Sequence, residues 1–220
     1  KEEASAPKIR AAKMAASSSS SAQTAIPGFN SSALQSLQND PFTGRAVFSV
    51  PITVPAGRRG IQPSLALTYS SGSSNGILGL GWSLDLGSIQ RSTKRGIPKY
   101  SDTQDTFVLA SGGSTQELVN IGSGEYRPKL EGSFSKITYD GTSWVITDKS
   151  GTKFYFGVSD NSKQSNPRGT FSWCLSKAVD ISGNFMTVEY TTDQGQLYPA
   201  KIKYTGNEVS NLAPAYEVEF

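Results

Sequence analysis

DPFTGRAVFSVPITVPAGRRGIQPSLALTYSSGSSNGILGLGWSLDLGSIQRSTKRG, residues 40–96, opens with two runs of strict alternation. In the first, Phe48, Val50, Ile52 and Val54 fall on one face, and Val47, Ser49, Pro51 and Thr53 on the other. In the second, Ile61, Leu65, Leu67 and Tyr69 oppose Gln62, Ser64, Ala66, Thr68 and Ser70. A period of two marks a half-buried strand, because successive side chains leave a pleated backbone on opposite sides. Between the runs, Pro55-Ala56-Gly57-Arg58-Arg59-Gly60 joins a fixed φ at proline, glycines that tolerate positive φ, and two arginines expected to face water. It reads as a hairpin loop. Gly79-Leu80-Gly81-Trp82 then sets glycines beside a large ring, where the backbone must bend or approach closely.

Downstream, alternating runs recur at roughly the 8–12-residue spacing of an all-β sandwich or barrel. Strands are expected at 45–55, 61–71, 80–92, 105–110, 115–120, 124–129, 133–140, 143–149, 152–158, 171–179, 184–191, 198–205 and 215–220. Asp140-Gly141 and Lys149-Ser150-Gly151 link three of them into a meander with an aromatic face, and Tyr139 should meet Trp144 across the first turn. Asp180-Ile181-Ser182-Gly183-Asn184 is a further turn, and residues 160–169 read as a polar loop. The expected class is all-β, a large antiparallel meander or sandwich with at most one short amino-terminal helix.

Residues 1–39 differ in character. They are Ala/Ser-rich, without periodicity, and contain the run Ser17–Ser21, so they read as a linker or tail. A short helix is expected at 31–39, capped by Ser31 or Ser32, with Ala33, Leu34 and Leu37 on one side and Asp40-Pro41 as its stop. Lys8, Arg10 and Lys13 interrupt the start, and no apolar core of a signal peptide follows. Residues 40–220 are expected to form one β domain. The missing initial Met and the alternating run Tyr216–Phe220 point to a piece of a longer protein whose last strand expects a partner.

Composition narrows the chemistry. The 220 residues suffice for one large β domain, with 18% charged residues and a net charge of +3, too weak a basic balance to imply nucleic acid. No apolar run is long enough for a membrane-spanning helix. The sequence has no histidine, which excludes His-dependent triads, His–Cys dyads and His metal ligands within it. A lone cysteine, Cys174, leaves no disulfide framework and reads as a small buried residue beside Trp173. Gly76, Gly79 and Gly81 lack the spacing, lysine and helix of a phosphate loop. Asp102-Thr103-Gln104-Asp105 lacks the twelve-residue calcium pattern and reads as a solvated turn. Glu117 and Glu131 have no supporting motif for glycoside hydrolysis. Trp82, Trp144 and Trp173 read as core residues rather than sugar-stacking platforms. Arg91, Lys94, Arg95 and Lys99 form a basic cluster, read either as a solvated loop or as a contact for an acidic patch on a partner. No catalytic, cofactor-binding or metal-binding residue is assigned.

Three segments carry a family resemblance. Pro51, Pro55 and Gly57 match "P-I-x-V-P-x-G"; Gly60, Pro63 and Tyr69 match "G-x-x-P-x-L-x-L-x-Y"; Gly79, Gly81 and Trp82 complete "G-x-G-x-G-W". Trp173, Asp180, Gly183, Asn184 and Tyr190 match "W-x-L-x-x-x-x-D-x-x-G-N-x-x-x-x-x-Y", and residues 200–207 match "I-x-Y-T-x-N". In this order they resemble the SpvB-type amino-terminal domain, found in a Salmonella virulence protein and in the B component of insecticidal Tc toxin complexes, relatives of Rhs/YD-repeat shell proteins. The resemblance implies a non-catalytic wall segment of a secreted bacterial toxin, contributing strands to a hollow β-shell around a carboxy-terminal toxic cargo. ADP-ribosyltransferase activity would lie elsewhere in the parent chain. Implied partners are the remainder of that chain, an Rhs-type C component or enclosed toxic domain, and a membrane-perforating A component. A free-standing β-sandwich that binds surface glycan or protein is the alternative.

Overall fold

The computed structural model describes residues 38–39 and 44–220, apart from 74, 77, 131 and 133. All of them lie in the unit Ser36–Phe220. The strands are β1 (Gln38–Asn39), β2 (Ala46–Ile52), β3 (Leu65–Ser70), β4 (Asn75–Gly76), β5 (Gly79–Leu80) and β6 (Trp82–Leu84). Next come β7 (Ser88–Arg91), β8 (Phe107–Ser111), β9 (Ser114–Gly122), β10 (Glu125–Pro128), β11 (Lys136–Tyr139) and β12 (Trp144–Thr147). The last six are β13 (Lys153–Phe156), β14 (Lys163–Asn166), β15 (Gly169–Val179), β16 (Asn184–Asp193), β17 (Gln196–Asn207) and β18 (Tyr216–Glu219).

The opening alternation forms the hairpin expected of it. In a sheet of order β1-β2-β3-β6, Phe48 lies opposite Tyr69, Val50 opposite Leu67 and Ile52 opposite Leu65. Trp82 pairs with Tyr69 on the next strand, and its ring lies 5.4 Å from Tyr69 and 6.4 Å from Phe48. Gly81 makes this packing attainable. Its φ is +80°, and a Cβ there would stand 2.6 Å from the Tyr69 ring.

The large sheet is a meander that closes on itself. Strands β7 to β13 pair in sequence, apart from their turns, and β15 joins both ends. Its first half pairs with β7, Trp173 opposite Ile89. Its second half pairs with β13, Phe154 opposite Ala178 and Phe156 opposite Leu175. The same long strand also carries β14 and β16, and β16, β17 and β18 extend from it as a flange. Closure removes the edges that an open eight-strand meander would expose.

The inward residues fill the enclosed space. Ile89, Phe107, Ile137, Trp144 and Trp173 are all but sealed from solvent. Tyr139 and Trp144 pair across the Asp140-Gly141 turn as expected, with stacked rings 4.4 Å apart. Phe107 packs edge-on to Trp144, Trp173 and Tyr126 at 4.9–5.8 Å. Burying each such side chain contributes about 1.5–3 kcal/mol. Ile52 and Leu84 of the small sheet, and Val54 just after β2, pack against the core that Val188 and Ile202 of the flange share.

Several local expectations are corrected. Gln38–Asn39 is not the end of a helix but a strand, pairing with Ala46 and Val47; residues 31–37 lie outside the described residues. The second run enters its strand only at Leu65, because Gly57 donates its amide to Gln62 Oε1 and holds 57–62 as a turn. The run 80–92 breaks at Asp85–Gly87, where Asp85 accepts the Gly87 amide. The polar loop at 160–169 contains a 3₁₀ turn and β14, whose register on β15 brings Lys163 opposite Trp173.

Candidate functional site

The three motif segments, far apart in the chain, meet at one junction. The Pro55–Gly60 loop reaches β17: Arg58 Nε donates to Thr205 O at 2.9 Å, and Tyr204 Oη donates to Pro55 O at 3.1 Å. Arg59 Nη1 donates to Ser182 Oγ at 2.6 Å in the turn between β15 and β16. That turn is built on Asp180, whose carboxylate accepts the amides of Ser182 and Asn184 and the Asn184 side chain at 2.8–2.9 Å. Asn184 is buried, and its Oδ1 accepts from Asn207 Nδ2 at 2.9 Å. Burial raises the Asp180 carboxyl, but the Asn184 donors, the Ser182 amide and the Arg59 charge outweigh it and hold it below the ordinary value. Arg58 and Arg59 were expected only to face water. They remain exposed, yet they staple the small sheet to the flange.

A second polar cluster sits at one end of the closed meander. Arg91 points inward from β7 and is 4% exposed. Its guanidinium donates to Thr170 O at 2.8 Å, Asp105 Oδ2 at 3.0 Å and Asp102 Oδ1 at 2.6 Å. The same group lies 5.1 Å from the Phe107 ring and 5.5 Å from that of Trp173. Burial pushes Asp105 up, but the amides of Lys99 and Ser101 and the charge of Arg91 hold it below its usual range. Burial and then the Asp102 carboxylate push the Tyr139 phenol upward, so it stays protonated and donates to Gly141 O at 2.9 Å. Trp173 Nε1 donates to Thr142 O at 2.9 Å.

This cluster divides the basic group read from the sequence. Arg91 is no partner contact: its guanidinium is buried and pairs within the chain with Asp105, whose side chain is largely covered, and with Asp102, which with Thr103 and Gln104 stays on an exposed turn as expected. Lys94, Arg95 and Lys99 remain on the exposed loop. The signal available in the sequence was the carboxylate spacing after Arg91, which only the loop back onto β7 makes meaningful.

Nothing here is arranged as a nucleophile with a base. Cys174 is free, and burial pushes its thiol up to about 11, so it is protonated at neutral pH. Among the described residues, no three His, Cys, Asp or Glu side chains are grouped to hold a metal. The opposite end of the meander opens into an apolar cavity of about 420 Å³ lined by Leu109, Ile146, Phe154, Leu175, Met186 and Ile202.

The family described as Salmonella virulence plasmid 65kDa B protein, SpvB, matches residues 40–213. The chain belongs to this family. Mono(ADP-ribosyl)transferase SpvB of Salmonella choleraesuis (strain SC-B67) is 28% identical over 194 residues, covering 75% of this chain and 32% of the relative. The same figures hold for SpvB of Salmonella typhimurium. The chain therefore spans about a third of the length of these curated relatives. The N-terminal domain of effector protein SpvB from Salmonella typhimurium strain LT2 superposes with a TM-score of 0.62 at 25% identity, over 76% of this chain and 65% of that one. TcdB2-TccC3 gives 0.63 at 26%, over 76% of this chain and 10% of the other. The Photorhabdus luminescens Tc holotoxin pore gives 0.63 at 26%, over 77% and 10%.

Within this SpvB-type fold, the matched residues share architectural work. Gly81 and Trp82 close the small sheet, Pro55 receives Tyr204, and Asp180 and Asn184 form the turn that Arg59 grips. Tyr190 Oη donates to Leu175 O at 2.9 Å and ties β16 to β15. Pro63 is buried, while Pro51 is exposed on β2 opposite Ala66.

Proposed function

We propose that this chain is a non-catalytic wall segment of a secreted bacterial toxin, contributing strands to a shell that encloses and shields a carboxy-terminal cargo. The observation that carries the reading is the use of its buried charge. Arg91 is buried against Asp105, reaches the more exposed Asp102 and holds strands together, and the motif residues bond to each other across the Pro55–Gly60 loop, the Asp180 turn and β17. Likeness to both an SpvB N-terminal domain and TcdB2-TccC3 supports one architectural module shared by proteins of different length. On this reading, ADP-ribosyl transfer belongs to another part of the parent protein. The remainder of that chain, a C-type component and a membrane-perforating component are its partners, and the residues before the Gln38–Asn39 strand are a tail preceding the β domain.

Limited proteolysis of the full-length protein, followed by mass spectrometry, tests it. A carboxy-terminal fragment should resist digestion in the intact protein and become digestible when 40–220 is deleted. Equal resistance with and without 40–220 would sink the shielding role.

A further inference from the structure

Side chains fill the closed meander at one end only. Strands β7 to β13 and β15 make it an eight-stranded barrel. The interior of such a barrel is either filled by side chains or left with room for one small ligand. Phe107, Trp144 and Trp173 occupy the end where Arg91 sits. Phe156, opposite Trp144 in register, forms the floor of the apolar cavity at the other end. That cavity holds about 420 Å³, a volume within the range of small-molecule sites.

The strands around it leave the space open without being edges. Leu109 and Phe154 line it from the barrel and Met186 from the flange, and all three are only half-buried. Their strands β8, β13 and β16 are each paired on both sides. The cavity therefore lies between paired strands, not along an unpaired one.

Its walls and its mouth differ in chemistry. The walls are aliphatic and aromatic carbon. A buried water needs about two to four polar partners, so an apolar guest suits this space better than solvent does. The mouth is polar, with the Ser64 and Ser111 hydroxyls and Asp85. Asp85 is exposed, and its two oxygens accept the Gly87 and Gly113 amides at 2.9 Å, which fixes the carboxylate there. An anionic head group entering the mouth meets that charge, whereas a hydroxyl can exchange hydrogen bonds with the two serines.

We infer that this cavity binds one unbranched aliphatic chain with an uncharged, hydroxyl-bearing head, the head at the Ser64–Ser111 mouth and the tail towards Phe156. The inference does not depend on whether a cargo is enclosed.

Calorimetric titration of the full-length protein with 1-alkanols of about six to about twelve carbons tests it. Each added CH₂ should tighten binding about fourfold while it enters the cavity, and the gain should stop at a limiting length. L109W, which puts a ring into the space, should weaken binding at least about tenfold. F154L, which widens the space, should still bind and should move the limiting length upward. The carboxylate of the same length should bind at least about fivefold more weakly than the alcohol, and that gap should narrow at about 1 M salt. Affinity that climbs with chain length without limit would overturn the inference, because it marks partition onto a surface. A limiting length that F154L leaves unchanged, or a carboxylate that binds as well as the alcohol, would do the same. So would an absence of alkanol binding by the full-length protein, since another part of the parent chain then fills the cavity.

Discussion

Arg58 Nε donates to the carbonyl oxygen of Thr205 at 2.9 Å, joining residues 147 positions apart. Thr205 has φ = +75°, a conformation a β-branched residue reaches only under constraint. Two bonds hold it: Arg58 on its carbonyl, and its own Oγ1 accepting the Ala215 amide at 3.0 Å. R58A should cost about 1.5–3 kcal/mol in urea unfolding, the range for a bond to a charged group, with the lower end expected at this exposed site. Amide exchange should rise at Ala215 and leave the barrel strands unchanged. Uniform loss across the molecule would show that Arg58 acts generally rather than as a staple.

Arg91 carries a different weight, because its partner Asp105 has a side chain only 7% exposed. R91M leaves that carboxylate buried without its cation, and breaking such pairs typically costs about 3–5 kcal/mol. R91M/D105N should recover a substantial part of the loss. Chemical denaturation of the wild type and the two variants decides it. A double variant no better than R91M would mean that the guanidinium's contacts with Thr170 and the rings dominate.

Acid should weaken the fold in a defined window. Asp105, Asp140, Asp148 and Asp180 are all raised by burial, but hydrogen-bond donors outweigh it and hold each below the ordinary 3.8. A carboxyl depressed in the folded state contributes stability above its unfolded value and loses it as pH falls through the folded value. Thermal stability should therefore be flat through this group's range down to about pH 4 and fall below it. D180N keeps the oxygen that accepts the Ser182 and Asn184 amides, so it should fold and show a shallower acid slope. An unchanged slope would remove Asp180 from the account.

Local alternation made the strands legible, and turn chemistry made the β11–β13 meander legible down to the Tyr139–Trp144 pair. The family motifs named residues whose partners lie far away in sequence. Asp180 with Asn184 could be read as a turn, but Arg59 meeting Ser182 could not, because hairpin periodicity says nothing about what a loop tip touches. Arg91 was misread for a related reason. Burial of a charge depends on a counter-ion delivered by a loop, here Asp105 held by the Lys99 and Ser101 amides, and no pattern of hydrophobicity records that. Closure of the meander was equally hidden, since it rests on β15 serving four neighbouring strands along its length.

The two buried tryptophans offer a controlled comparison. Trp144 and Trp173 are 0% and 1% exposed, both pack on Phe107, and replacing either with Phe removes the same atoms from the same aromatic cluster. They differ in their ring nitrogens. Trp173 Nε1 donates to Thr142 O at 2.9 Å, whereas Trp144 Nε1 meets no acceptor among the described residues. W173F therefore loses a hydrogen bond as well as volume and leaves the Thr142 carbonyl without that donor. W144F loses volume while removing a buried donor whose isolation costs about 1–3 kcal/mol. To first order the cavity terms cancel, so W173F should destabilise the fold by about 1–3 kcal/mol more than W144F in paired urea denaturations. Equal losses would mean that the Trp144 nitrogen is satisfied in solution, and a larger loss for W144F would place the tighter packing on the Tyr139 side of the cluster.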